Sequence, residues 1–199
     1  MTASFLLLQL ADGSFPSGGF AHSNGLEAAS VLAAVDIERF LDASLRQAAS
    51  FALPFVSRAR EDLAKADDAC DAMLLLRGPN HASRAQGRAL YGAVHRVWDL
   101  AAYEGPMHHA PICGALFHQL GVSEEHTRIA YLHGFARSVL SAGVRLGLLG
   151  PLEAQKLHAT RAALMSELEA TRAEPAQTAP LLEIHAALHE RLDGRMFQS

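Results

Sequence analysis

Residues 9–27, QLADGSFPSGGFAHSNGLE, hold the side chains best placed for chemistry. His22, Ser23 and Glu27 lie close together, set among Gly13, Pro16, Gly18, Gly19 and Gly25 and beside Phe15 and Phe20. A histidine and a carboxylate at this spacing can work as acid and base if a concave pocket adjoins them. Glycine frees the backbone and proline fixes it, so the stretch must bend. A bend needing flexibility alone would be polar throughout. This one carries two phenylalanines and a histidine, so it packs or presents something. The plainer alternative is a tight turn joining two core helices.

The eleven histidines are the next candidates. His185 and His189 stand four apart on one helix, a spacing that can seat a metal. No glutamate follows in the zinc-protease pattern and no third ligand stands out, whereas a metal site wants three or four ligands and a supporting shell. His108 and His109 are adjacent and diverge by about 100° on a helix, which suits a turn or cap. His118, His126 and His133 are spaced by eight and seven, which allows a shared face, though such histidines more often hydrogen-bond helix neighbours. No residue is assigned as a metal ligand and no stably bound cofactor is expected.

Two arginines, Arg137 and Arg145, flank the small-residue run Ser138-Val139-Leu140-Ser141-Ala142-Gly143-Val144. Buried arginine is costly unless paired. The helix is either a central one whose arginines bridge to acidic neighbours or an interface helix. Arg195, Met196 and Phe197 near the end of the sequence are residue types enriched at interface anchors. Alternatively they fold back to cap the chain's own core. Catalytic motifs are missing: no Gly-Lys-Ser/Thr follows Gly18-Gly19, there is no Gly-x-Ser-x-Gly elbow, and Cys70 and Cys113 lack a nucleophile setting. No catalytic residue is assigned.

Composition narrows the class. The 199 residues allow one substantial core. Half are hydrophobic and only 19% charged, which hints that partners cover some surface. A net charge of −4 argues against nucleic-acid binding. Two cysteines make no disulfide framework and point to a reducing compartment. The apolar run 5–8 is too short for a signal peptide. The longest apolar stretch, 129–149, contains His133, Arg137 and Arg145 at helical spacing and reads as a buried helix, not a membrane span. The expectation is a soluble cytoplasmic protein.

The elements that position these residues are all helical. Residues 4–11 form a short helix or turn, and a helix runs from 22 to 34. Asp36 caps the next, which Pro54 kinks or restarts. The charged stretch 58–68 reads as a solvated face. Residues 71–76 close a helix ended by Gly78-Pro79. Asn80 or Ser83 caps another, ended by 104–106. A helix spans 112–120, with Gly121 at its C′ position. Ser123 caps a long helix over 124–148, Gly150-Pro151 starts a helix over 152–173, and Pro180 starts the last, stopped by Gly194. No alternating β-branched run appears. The fold class is all-α, a single domain over 1–199 of roughly eight to ten helices, with residues 194–199 as a tail.

Leu6 to Leu10, Asp12, Phe15-Pro16, Gly19-Phe20 and His22-Ser23-Asn24-Gly25-Leu26-Glu27 resemble the N-terminal signature of the urease accessory protein UreF family. The similarity continues through His108-His109-Ala110-Pro111-Ile112-Cys113-Gly114, Ala142-Gly143-Val144-Arg145-Leu146-Gly147 and Arg195-Met196-Phe197-Gln198-Ser199. The sequence departs from many bacterial members at residues 81–86 and 11–16. The resemblance implies a non-enzymatic, dimeric scaffold in urease maturation. Such a protein joins UreD (UreH in some species) and the GTPase UreG while nickel is delivered to apo-urease, the metal being handled by the complex. It implies partner-binding roles for Phe20, His22, Ser23, Glu27, Arg137, Arg145, Arg195 and Phe197. The competing readings are a histidine-based nickel metallochaperone and an enzyme using His22 and Glu27.

Overall fold

A computed structural model describes residues 3–198. Its elements in order are α1 (Ala3–Ala11), α2 (Leu26–Leu32), α3 (Ile37–Gln47), α4 (Leu53–Arg58), α5 (Leu63–Met73), α6 (Arg77–Val97), α7 (His109–Gln119), α8 (Glu124–Arg145), α9 (Pro151–Thr160), α10 (Ala162–Ala170) and α11 (Pro180–His189). No strand occurs among the described residues. A π-helical turn, Ala48–Ala52, joins α3 to α4 without leaving helical backbone angles. Pro54 lacks an N–H for the preceding turn, and the widened turn absorbs the misfit. Counting that run as one rod gives ten helices among the described residues, in line with the all-α expectation.

The bundle is built around α7. Residues from Ala110 to Phe117 are all buried, and a helix apolar on every side belongs in the interior. It packs against α4, α5, α6 and α8. Gly114 permits the closest of these approaches, since a Cβ there would strike the Val56 carbonyl. One apolar cluster joins α2, α3, α4 and α8 through Leu26, Leu41, Leu45, Phe55 and Val139. A second joins α1, α6 and α7 through Leu6, Leu10, Leu90, Val94 and Leu116.

Several caps follow the sequence. The Asp36 carboxylate accepts from Glu38 N and Arg39 N, and Ser123 Oγ accepts from His126 N. Other boundaries differ. The second helix starts at Leu26, not 22, because Asn24 and Gly25 adopt left-handed angles, φ 55° and 83°. The sixth starts at Arg77, so Gly78-Pro79 lies inside its first turn, where proline is tolerated. It ends at Val97, before 104–106. The expected helix over 152–173 breaks at Arg161, whose guanidinium turns back to Asp42 and Glu38.

The stretch 58–68 is not simply a solvated face. Asp62 caps α5, and Asp67 is completely buried. The Asp67 carboxylate accepts from Met107 N at 2.6 Å, His108 N at 2.8 Å and Tyr103 Oη at 2.8 Å. Those bonds fix the connection into α7. His108, also fully buried, is held between Asp71 Oδ1 at 2.8 Å and Ser83 Oγ at 3.1 Å.

Candidate functional site at the bend and the C-terminal strap

The bend after α1 lies against α8. Its 3₁₀ turn, Gly19–Ala21, turns its Gly19 and Phe20 carbonyls toward α8, the Gly19 carbonyl also accepting from His22 N at 3.3 Å. The α8 side chains take them: Ser138 Oγ donates to Gly19 O at 3.3 Å and Arg145 Nη1 to Phe20 O at 2.5 Å. The small residues of α8 let the bend sit low enough for this. Beneath it runs a cleft of about 360 Å³ whose walls include Phe15, Phe20, Tyr131, Arg137 and Ser138.

Residues 195–198 return to the same place. Glu27, in the first turn of α2, is buried and holds them. Its carboxylate accepts from Met196 N at 2.7 Å, Phe197 N at 3.2 Å and His189 Nε2 at 2.7 Å. Gln198 N donates to Ala21 O at 2.8 Å, which lays the strap along the bend. Burial alone would raise the Glu27 pKa, but the bonds from Met196, His189 and Phe197 outweigh it and hold the carboxyl below its usual value. The adjoining His22 is buried too, and burial, helped by nearby His189, pushes its pKa down to about 4.

The rings complete the joint. Phe197 is buried, while Phe20 is 73% exposed. The Arg145 guanidinium lies between them, 4.0 Å from the Phe20 centroid and 4.2 Å from that of Phe197. Arg195 and Met196 remain exposed beside this stack.

The sequence-predicted residues therefore separate by depth. Phe20 and Arg195 are outside, available to another protein. Arg145 and Arg137 are half-buried, one gripping the bend and one lining the cleft. His22, Ser23, Glu27 and Phe197 are inside, where they set the shape of the bend and strap. The pair His22 and Glu27 has no open substrate position at the carboxylate, because the strap and His189 occupy both of its oxygens. His189 Nε2 is committed to Glu27. Among the described residues, no three histidine, cysteine or acidic side chains converge in a metal-ligand arrangement.

Sequence reading missed Arg128, which is 1% exposed. Its guanidinium donates to Glu169 O, Thr171 O, Leu53 O and Ser57 Oγ, closing the carbonyl end of α10. Arg128 follows Glu124, Glu125, His126 and Thr127 at the polar start of α8, so local pattern gave no signal of its burial.

The UreF family model matches residues 31–162, so of the predicted contact residues it covers Arg137 and Arg145. Alignments with whole relatives reach further. The chain is 34% identical to urease accessory protein F of Arabidopsis thaliana, over 96% of this chain and 90% of that protein. It is 35% identical to urease accessory protein F of Oryza sativa subsp. japonica, over 95% and 82%. It is 31% identical to urease accessory protein UreF of Mycobacterium tuberculosis, over the full length of both.

Proposed function

The chain belongs to the UreF family of urease accessory proteins, and on that premise we propose that it is a docking subunit without catalysis of its own. In this reading it bridges UreD (or UreH) and the GTPase UreG in the cytoplasm, as a homodimer, while nickel is inserted into apo-urease. GTP hydrolysis belongs to UreG, which this chain positions. Nickel is cargo of the assembly and is not held stably here.

The observation that supports this most is the joint itself. An exposed phenylalanine is stacked on an arginine that a buried phenylalanine backs. A ring already immobilised in the free protein loses little entropy on binding, which is what a docking anchor needs. No described helix is long and apolar enough to cross a membrane.

Co-expression of the tagged chain with UreD and UreG tests the reading. Recovery of both partners with the chain is expected, and recovery of neither overturns it.

A further inference from the structure

The geometry points to a second docking element: the basic face of α6, together with Arg195 of the strap, forms a groove for an acidic segment of a partner protein. The 21-residue α6 carries Arg77, Arg84, Arg88 and Arg96 and not one carboxylate, in a chain whose net charge is −4. Arg77, His81, Arg84 and Arg88 fall at i, i+4, i+7 and i+11, the spacing of a single helix face. The strap passes beside this face. Between the two lies a cleft of about 480 Å³, walled by His81, Arg84 and Arg88 from α6 and by Arg195 and Gln198 from the strap.

Its charges are largely uncompensated. Glu190 is the single carboxylate in its lining. Arg84 is fixed by Pro106 O at 3.1 Å and lies 3.8 Å from Asp71. Arg77, Arg88 and Arg195 are exposed and form no ion pair with a described carboxylate. Solvated helices ordinarily mix the two signs along a face. A one-signed row costs self-repulsion that a bound carboxylate would relieve.

The occupant follows from extent and charge. The row from Arg77 to Arg88 runs about 16 Å along the helix, at 1.5 Å per residue. That exceeds one phosphate or one carboxylate and fits about three turns of an acidic helix. Arginine forks pair with carboxylates in two-point fashion. The small residues Ala82 and Ala85 leave room between the forks for side chains, while Glu190 fills the space over Gly78. The net negative charge of the whole chain disfavours a long nucleic acid. Taking the occupant to be a protein rests on the docking reading above; the charge arrangement does not.

The test is fluorescence anisotropy on the purified full chain. The probe is a labelled helical peptide with Glu at i, i+4, i+7 and i+11, and its Gln counterpart is the control. The Glu peptide is expected to bind in a salt-dependent way and the Gln peptide not to bind. Arg88→Glu and Arg195→Glu should each weaken binding about tenfold or more. Arg96→Glu changes net charge equally but lies about 100° round the helix, and should leave affinity within about twofold. Thermal melts verify that each variant folds, with Arg88→Gln as the milder substitute. No binding of the Glu peptide overturns the inference, as does equal weakening by Arg96→Glu. Tighter binding of a single-stranded DNA of equal charge, or displacement by equimolar pyrophosphate, overturns it as well. Peptide binding lost while UreD and UreG still co-purify removes the groove alone; peptide binding kept while they do not co-purify removes the docking reading alone.

Discussion

Glu27 Oε1 accepts the Met196 amide at 2.7 Å, joining residues 169 positions apart in the sequence. A single carboxylate thereby connects the second helix to the strap, and its other oxygen takes Phe197 N and His189. Glu27→Gln removes the charge and leaves an amide facing donors on every side. We expect the strap to loosen by about 1–3 kcal/mol, the range for losing buried bonds to a charged acceptor. Hydrogen exchange at the amides of Met196 and Phe197 should accelerate, while core amides of α7 keep their protection.

The same carboxylate makes the strap sensitive to acid. Its folded pKa lies below the unfolded one, so its contribution is complete above the ordinary glutamate range. It is lost as pH falls through the lowered folded value. Protection of the Phe197 amide should therefore hold from neutral pH to about 5 and decline below it, and in Glu27→Gln that decline should be absent.

His22 adds a term at higher pH. Its pKa is near 4 in the folded chain against an ordinary 6.5. The unfolded state then binds the proton first, so stability falls as pH drops from about 6.5 toward 4. Denaturant midpoints across that window should fall, and His22→Gln should flatten the slope.

Asp67 serves the core instead of the joint. It is completely buried and accepts three hydrogen bonds that hold the entry to α7. Asp67→Asn turns one of the two oxygens into a donor, which then faces the N–H of either Met107 or His108. A loss of about 2–4 kcal/mol is expected by urea unfolding.

Much of this architecture could be read beforehand, and the misses share a cause. Asp36, Ser123 and Pro151 mark helix starts through local chemistry, and each sits where the pattern put it. Asp67 and Arg128 look like surface residues to local pattern, because what buries them comes from helices distant in sequence. Arg145 was legible as an unusual charge on a small-residue helix, but not its place between two rings from opposite ends of the sequence. The bend was visible from its glycines; that the strap closes over His22 and Glu27 was not, since nothing local encodes a contact of that separation.

The central claim is that Phe20 and Arg195 are outward contacts supported from within. Phe20 is mostly exposed, so Phe20→Ala should cost the fold only about 0.5–1 kcal/mol, the value of its stacking on Arg145. An anchor's loss should cost about 2 kcal/mol or more of binding. The most direct measurement is therefore co-purification of UreD and UreG with the wild-type chain, Phe20→Ala and Arg195→Ala, beside their thermal melts. The account predicts near-wild-type melting with at least one partner depleted in each variant. Full recovery of both partners by both variants would contradict it.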